Sequence, residues 1–509
     1  MSRFLIMLEV SQKQAYIFGS NKLEDNIVNS AIIAKCLSPE YLKDCLVKEY
    51  DENTNLVYSG GGHTVLEYDD EEVARRAVKT ISLRIYKDFA GLEIFAKIIK
   101  YDMNLSPQEN LKNLTKELEK KKAIRISSFH HGSFGIEKID SNTRRSKGCT
   151  LINREGKEGS DRKKQVKDEE YRVASKEFTP DGYSPAYKFE NLGGCKGTSN
   201  FIAVVHIDGN GMGKRVSELY DFIKENEWEE VKSKLKEFSD GIDEDFKGAY
   251  KSMVDDVKKS IEEDGGNLNG KLNLSKDDKQ FIFPVRRIIT AGDDICFVTE
   301  GRIGIECARL FIEKLTDKNR KNCVDNKGYS ACAGVAIVHQ KYPFYKAYEI
   351  AEMLCSNAKK EGARISPEDD GRNVSLIDWH IEFGELKDGL EEIKTNYISD
   401  DGNKLSLKPY IVDARPEILN RDKKKKYESF IRKLKKIQDN GNDIGKGKIK
   451  ELRSIMKKGE VETNNYLKFY KLEGKLDAGF KGEMIAEEES EKTNSLFDAI
   501  EVMDTFLFV

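Results

Sequence analysis

The stretch at residues 288–298 constrains the fold of this chain more than any other. It consists of two short apolar, β-rich runs on either side of Ala-Gly-Asp-Asp at 291–294, a pattern that predicts a hairpin whose turn carries two adjacent carboxylates. Gly292 supplies the backbone freedom of a tight turn. A second apolar run, 201–207, ends directly before Asp208. Since paired strands lie about 4.8 Å apart, pairing of these runs would bring all three aspartates to one edge of a sheet.

At such an edge Asp208, Asp293 and Asp294 would repel one another unless they shared a cation. Hard oxygen ligands of this kind suit Mg²⁺ or Mn²⁺ bridging substrate phosphates. We therefore predict these three residues as catalytic and, together with Gly209, as the metal ligands of a two-metal phosphoryl transfer. A Gly-Asp-Asp sequence alone is more often a solvated surface turn, and the matched strand ending in Asp208 is what favours the functional interpretation.

Composition and cysteine usage limit the classes of protein to which this chain can belong. The 509 residues suffice for about three domains. The balance of 86 basic against 89 acidic side chains gives a formal charge of -3, so only local patches could bind a polyanion. No apolar run reaches the roughly 18 residues of a membrane span, and none of the nine cysteines forms a Cys-x-x-Cys pair. We expect a cytoplasmic protein with reduced thiols, no membrane association and no zinc ribbon.

The order of predicted elements repeats along the chain. In the first repeat, strands are predicted at 4–10, 56–58, 64–66 and 92–99, with helices at 21–37 and 73–85. This βαββαβ order is the ferredoxin-like arrangement of palm domains, and it recurs from residue 201 with the aspartate hairpin in the corresponding place. We predict an α+β fold with a first, degenerate palm domain (1–123), an insert-rich connection (124–200), a second, catalytic palm domain (201–380) and a mainly helical C-terminal domain (381–509).

Three other segments give less specific expectations. A helix starting near Lys214 continues as charged sequence to about residue 263 and is expected to face solvent. The charged segment 157–170 has little periodicity, so we expect an extended connection there. The pair His130-His131 could bind a metal, but with no third ligand in view a loop turn is the better interpretation.

A glycine-rich loop follows the first of the three aspartates. It reads Gly209-Asn210-Gly211-Met212-Gly213 and leads from a strand into a helix. Glycines let the backbone approach a phosphate, and the amides at a helix N-terminus favour its negative charge. The predicted nucleotide-binding residues are Gly209, Asn210, Gly211, Gly213, Gly292 and Lys359, the last as a flexible point charge. The alternatives are an ordinary strand-to-helix turn and a surface lysine.

The first repeat carries a hairpin without carboxylates. Alignment of Ser-Gly-Gly-Gly-His-Thr at 59–64 with 290–295 places Gly62 and His63 at the two aspartate positions, and Glu9 near the place of Asp208. One carboxylate and one imidazole make a poor Mg²⁺ site, so this palm should not catalyse. Its glycines, Gly60, Gly61 and Gly62, leave room for a second nucleotide.

Three motifs together resemble a known family. They are His-Ile-Asp-Gly-Asn-Gly-Met-Gly-Lys at 206–214, Ala-Gly-Asp-Asp at 291–294 and Ala-Glu-x-Leu…Ala-Lys at 351–359. This combination resembles the palm polymerase of the large subunit of type III CRISPR effector complexes and, more distantly, GGDEF-type nucleotidyl cyclases. The sequence at 9–18 resembles that subunit's other palm. The resemblance covers about residues 1–380 and implies conversion of ATP into cyclic oligoadenylate messengers in antiviral defence, with effector subunits and RNA as candidate partners.

The sequence also departs from that family. Ala291 replaces the first glycine of the usual Gly-Gly-Asp-Asp. None of the six histidines is followed by Asp, so neither the HD nuclease of many members nor DNA cleavage is expected, and their cysteine-ligated zinc element is absent. Whether the chain is a stand-alone signalling enzyme or part of an RNA-guided complex stays open.

Two other functions remain as alternatives to the oligoadenylate synthase. One is a scaffold subunit that binds nucleotide or RNA without turnover, and the other is a cyclic dinucleotide synthase with an unassigned base preference. The resemblance implies two palms facing each other across one cleft, so a monomer could pair its two palms internally. The Lys-rich helical segment at 421–436 could contact RNA or an acidic partner; a solvated face is the preferred interpretation, because Tyr427, Phe430, Ile431 and Leu434 give it a core-facing side.

Overall fold

The computed structural model describes most of the chain. It covers 3–60, 62–89, 91–124, 161–192, 200–222, 228–277, 280–365, 373–384, 389–413, 425–476, 478, 480, 484–485, 488–489, 492–494 and 496–509. Outside the described residues lie His130, His131, Gly61 and the basic run at 421–424. Within the described ranges, no helix is long and apolar enough to cross a membrane, and the seven cysteines they contain are free thiols.

The N-terminal unit, residues 4–124, is built on one antiparallel sheet. Its strands are β1 (Phe4–Ser11), β2 (Leu56–Gly60), β3 (His63–Tyr68) and β4 (Glu93–Lys100), and its helices are α1 (Lys13–Ile17), α2 (Leu23–Lys35), α3 (Pro39–Leu46), α4 (Glu52–Asn55), α5 (Glu71–Asp88) and α6 (Pro107–Ala123). The strands lie in the order β2-β3-β1-β4, which is that of a βαββαβ unit. Helix α6 begins with a capping box formed by Ser106 and Glu109.

The connection to the next unit is partly helical. It contains α7 (Asp161–Val173), a π-helical turn (Ala174–Phe178), β5 (Tyr183–Ser184) and a 3-10 turn (Phe189–Asn191). The expectation of an extended segment at 157–170 is therefore wrong for its described part. Val166, Glu170 and Ala174 recur at every fourth residue and are buried, and α7 packs against α2. A single narrow stripe of this kind is hard to see among so many charged residues.

The central unit, residues 201–411, contains a six-stranded sheet. Its strands are β6 (Phe201–Gly209), β9 (Val285–Ala291), β10 (Asp294–Glu300), β11 (Ala331–His339), β12 (Leu376–Glu382) and β13 (Tyr410–Ile411), its helices are α8 (Met212–Phe222), α9 (Trp228–Glu262), α10 (Gly304–Leu315) and α11 (Phe344–Ile365), and β7 (Lys276–Asp277) and β8 (Gln280–Ile282) pair with β5 in a small separate sheet. The order β13-β12-β11-β6-β10-β9 contains the strand order of the N-terminal sheet, extended by β12 and β13. Strand β13 lies beyond residue 380, where the second palm was predicted to end.

Helix α9 does not face solvent as expected. It buries Trp228, Val231, Leu235, Phe238, Ile242, Phe246, Ala249, Tyr250, Met253, Val254 and Val257. This stripe recurs every three or four residues and packs against α10, β9 and, in the N-terminal unit, β2. Conversely, α2 of the N-terminal unit packs against β9. Each unit thus contributes a helix to the outer hairpin strand of the other.

The C-terminal part is mainly helical in its described residues. It contains α12 (Leu390–Thr395), α13 (Tyr427–Ile444), α14 (Lys446–Lys458), α15 (Glu460–Phe469) and α16 (Phe497–Val502), with short strands β14 (Met484–Ile485) and β15 (Glu488–Glu489). Tyr427, Phe430 and Leu434 of α13 are buried, as expected for the core-facing side of the Lys-rich helix. Mixed α+β content is thereby observed; the predicted domain boundaries and the two-palm layout stay predictions, which the repeated strand order supports.

Candidate active site

The three predicted aspartates meet at one end of the central sheet. Antiparallel pairing of β6 and β10 places Asp208 directly opposite Asp294, and the Gly209 N–H donates to the Asp293 carbonyl oxygen at 3.2 Å. Gly292 has φ +64°, so the hairpin turn uses the glycine conformation that the sequence indicates. A Cβ at Gly209 would lie 2.9 Å from the Asp293 Cβ. Only glycine therefore fits between the strand end and the hairpin turn.

Burial makes this carboxylate group electrostatically unfavourable. Desolvation, followed by the charge of Asp208, raises the pKa of Asp293 and of Asp294 to about 7. Asp294 Oδ1 is buried without a hydrogen-bond partner and lies 3.5 Å from Nδ1 of His206. Burial lowers the pKa of His206, so the imidazole is neutral at pH 7 and does not compensate the carboxylates. The three carboxylates therefore lie close together, and His206 does not offset their negative charge.

One counter-charge comes from Lys359 on α11. Its Nζ lies 2.6 Å from Asp208 Oδ2 and donates to the Gly209 carbonyl oxygen at 2.8 Å. Helix α11, which carries Lys359, packs closely on strand β11 at Gly334, where a Cβ would lie 1.9 Å from the Ala351 carbonyl oxygen. Lys359 is therefore a residue of the site and not an isolated surface lysine.

The donor set suits a divalent cation in its chemistry. The carboxylates of Asp208, Asp293 and Asp294, including the unpartnered Oδ1 of Asp294, are the hard oxygen ligands that Mg²⁺ prefers. Among the described residues, no three acidic, histidine or cysteine side chains form a ready-made metal cluster. Asp208 and the Gly209 carbonyl are both held by Lys359, so metal binding through them requires the ammonium to move. The metal assignment stays a prediction.

Four of the predicted nucleotide-binding glycines differ in the space around them. A Cβ at Gly213 or Gly292 would meet no atom within 4 Å, so open space lies at both positions. Gly60 and Gly62 are packed instead, against Ser239 of α9 and Lys13 respectively. Gly61 lies outside the described residues. Open space at Gly213 and Gly292 is what close approach of a phosphate requires.

The loop between β6 and α8 is held by contacts that its sequence does not reveal. Gly211 has φ +70°. The Asn210 side chain is buried and donates to the Val374 carbonyl oxygen at 3.4 Å, so it anchors the loop from inside. Arg215, in the first turns of α8, makes two 2.8 Å contacts with Asp325, and both side chains are buried. This ion pair joins residues 110 positions apart, which is why sequence inspection missed it.

The N-terminal unit repeats the same geometry without the aspartates. Glu9 of β1 lies opposite His63, and the Val10 N–H donates to the Gly62 carbonyl oxygen at 3.0 Å, as Gly209 does to Asp293. Lys122 of α6 contacts the Glu9 carboxylate at 3.1 and 3.2 Å. Lys122 is thus the counterpart of Lys359, since each is the sixteenth residue of its helix and binds the acid at its strand end. Inspection of the sequence did not identify Lys122.

The two hairpin turns lie side by side along α9. A Cβ at Gly60 would lie 3.0 Å from Ser239 Oγ, and the Gly292 N–H donates to Asp243 Oδ1 at 3.4 Å. Ser239 and Asp243 are one helical turn apart, which brings their Cβ atoms within about 6 Å of each other. The turn of the N-terminal unit is therefore adjacent to the aspartates of the central unit.

Comparison with known proteins shows what part of the central unit is similar to. Residues 201–366 match the family model described as Cas10/Cmr2, second palm domain. This matched segment, hereafter the second palm, includes all three aspartates and Lys359. The similarity to GGDEF-type cyclases stays a prediction, and no curated protein matches the sequence.

Solved structures resemble the whole chain in fold. The chain is similar to a Csm1-Csm4 cassette in complex with cA3, with 13% identity, TM-score 0.55, and coverage of 99% of this chain and 69% of that chain. The cassette in complex with pppApA gives 14% identity, TM-score 0.52 and the same coverage. In the complexes with AMPPNP and in the type III-A subcomplex, the chain spans 53% and 54% of the matched chain. At these identities the likeness concerns the fold.

Proposed function

We propose that the chain is a nucleotidyltransferase that converts ATP into cyclic oligoadenylate, acting in a CRISPR-type antiviral system. The observation that carries the proposal is the pairing of Asp208 with Asp294 beside the desolvated Asp293, within the segment that matches the Cas10/Cmr2 second palm. Crowded carboxylates with raised pKa values are unfavourable for stability, and such groups cluster at functional sites.

The proposed reaction joins two ATP molecules. The ribose 3′-oxygen of one ATP forms a bond to the α-phosphorus of the other, the bond between the α-phosphorus and the bridging oxygen breaks, pyrophosphate leaves, and the hydroxyl proton passes to water. Divalent ions held by Asp208, Asp293, Asp294 and the Gly209 carbonyl would lower the pKa of the attacking hydroxyl and neutralise charge on the phosphates.

This chain's own residues bind and orient the nucleotides. The open space at Gly213 and Gly292 receives the triphosphate, and the amides at the start of α8 face its charge. Lys359 would turn from Asp208 to the phosphates of the bound nucleotide. The N-terminal unit holds the acceptor ATP, and Lys122 binds its phosphates as Lys359 does in the second palm.

The ligands crystallised with the similar proteins support this order of events. Csm1-Csm4 cassettes were crystallised with pppApA and with cA3, a linear diadenylate and a cyclic triadenylate. Repeated transfer to a 3′-hydroxyl followed by ring closure would give such molecules here. A Csm4-like subunit is the partner we propose, with RNA as a further candidate partner.

The test is incubation of the purified chain with each nucleoside triphosphate and Mg²⁺, followed by mass spectrometry of the products. Cyclic adenylates from the wild type, and none from Asp208→Asn, would support the proposal. A cyclic dinucleotide as the sole product would replace it with the dinucleotide synthase. Nucleotide binding without any product, alone or with a Csm4-like partner, would favour the scaffold. The contact between Lys359 and Asp208 is the structural observation that favours this alternative.

A further inference from the structure

The turn that follows β1 has a backbone conformation that its residues do not favour. Gln12 has φ +50° and ψ +39°, in the left-handed region that side chains other than glycine rarely adopt. The corresponding residue of the second palm, three positions after the strand-end acid, is Gly211 with φ +70°. Strained backbone of this kind persists where surrounding contacts hold it, and it is concentrated at functional sites.

The strained turn directs the next residues at the second palm. Gln14 donates to Glu352 Oε1 at 2.5 Å and to the Tyr348 hydroxyl at 3.4 Å. Phe18 stacks on the same Tyr348, with 4.0 Å between the ring centroids. Tyr348 and Glu352 lie one turn apart on α11, and Lys359 lies two turns further along. The N-terminal unit is therefore attached at this turn to the helix that carries the lysine of the second palm.

Lys13 lies in the chain between the strained Gln12 and Gln14, which contacts the second palm. Its side chain crosses the hairpin turn of the N-terminal unit, where a Cβ at Gly62 would lie 2.9 Å from Lys13 Cε and 3.2 Å from Nζ. Burial lowers the pKa of Lys13, and the charges of Glu9 in the N-terminal unit and of Asp294 in the second palm oppose that shift. Lys122 and Lys359 each bind the acid at the strand end of their own unit. Lys13 belongs to the N-terminal unit, but acids of both units affect its pKa.

We propose that Lys13 is a positioning residue that the N-terminal unit contributes to the second palm, where its ammonium binds a phosphate group of the nucleotide held between the two units. The proposal rests on the proposed function for the identity of the ligand. A nucleoside triphosphate can approach Glu9, Asp294 and Glu352 only if cations lie close to its phosphates. A lysine offers three donors on a flexible stem and can turn from the carboxylates to a phosphate.

The first test is binding of the ATP analogue AMPPNP with Mg²⁺, measured by titration calorimetry. Lys13→Met keeps most of the aliphatic stem and should weaken binding at least tenfold, while Lys13→Arg should stay within about threefold of the wild type. Lys79→Met, an exposed lysine of α5, is the matched control and should bind normally. The melting temperatures of Lys13→Met, Lys13→Arg and Lys79→Met are measured in parallel.

The outcomes separate this proposal from the function on which it rests. Equal binding by wild type and Lys13→Met would overturn it, as would equal weakening in Lys13→Met and Lys13→Arg together with a lower melting temperature, which indicates a structural role. If the wild type binds AMPPNP but makes no product, the proposed function fails and the binding data still decide Lys13. If the wild type makes product, Lys13→Met should raise KM for ATP about tenfold and change kcat less than about threefold.

Discussion

Replacement of Asp293 by Asn should stabilise the metal-free protein at alkaline pH. Burial and Asp208 raise the pKa of Asp293 from 3.8 to about 7, so the folded state binds a proton that the unfolded state has lost. Wild-type stability should therefore fall as pH rises from about 4 to about 7 and stay low above that. Asparagine does not titrate, so the variant lacks this loss. The difference between the two proteins should be absent near pH 4 and complete at pH 8.

The magnitude follows from the size of the pKa shift. At about 1.4 kcal/mol per pKa unit, the full shift corresponds to roughly 4 kcal/mol. The neighbouring carboxyls titrate together, so the shift is shared among them, and solvent at the cleft screens part of it. We expect a gain of about 1–2 kcal/mol at pH 8, which for a domain of 150–250 residues raises the melting temperature by roughly 2–8 °C.

The assay is thermal unfolding in EDTA at pH 5, 6, 7 and 8, repeated with increasing Mg²⁺. Mg²⁺ should raise the melting temperature of the wild type more than that of the variant, because ligand binding to the folded state stabilises it. Asp69→Asn, at an exposed position, is the control and should show no such pH dependence. A variant less stable than wild type at pH 8, or a difference that is constant from pH 5 to 8, would refute the reasoning.

Four other predictions follow from the site. Asp208→Asn should lower nucleotidyl transfer at least 1000-fold, roughly the loss of one essential electrostatic group, with the fold intact by circular dichroism; substantial product would disprove the assignment. Lys359→Ala should raise KM for ATP about tenfold without weakening Mg²⁺ binding, and wild-type behaviour at limiting ATP would reduce the residue to a structural one. Gly61→Leu should impair catalysis with all aspartates present, and specific activity should not depend on protein concentration; a harmless substitution together with steep concentration dependence would indicate a homodimer of second palms. Gln12→Gly should raise the free energy of unfolding by about 0.5–1 kcal/mol, since relief of left-handed strain exceeds the entropy cost of glycine, and a destabilised variant in urea unfolding would contradict the strain.

The aspartates could be predicted because their signals are local. A glycine between two apolar runs, an acid directly after another such run, and strand pairing at a fixed spacing are sufficient to bring Asp208 and Asp294 together. The alignment of 59–64 with 290–295 succeeded for the same reason: hairpin register is set by the turn. Observed pairing of Glu9 with His63 and of Asp208 with Asp294 agrees with that alignment.

The residues that the sequence did not reveal depend on long-range packing. Lys122 becomes the partner of Glu9 only through the packing of α6 against the sheet, 113 positions away. Gln14 and Glu352 are 338 positions apart. The stripe of α9 was overlooked because charged residues surround it on the other faces, and its buried side depends on a second unit that no local pattern describes.

Each unit packs a helix against the other unit, and this packing gives a physical reason why only one of the two hairpin turns carries aspartates. Helix α9 lies against β2 and α2 against β9, so both hairpin turns come to the same place along α9. Two full sets of aspartates there would lie close together, and the repulsion would raise every carboxyl pKa further. Gly62 and His63 remove that second set, and Lys13 adds a positive charge in the field of Asp294. The absence of a second set of aspartates, together with the charge of Lys13, thus lowers the repulsion among the three aspartates of the second palm.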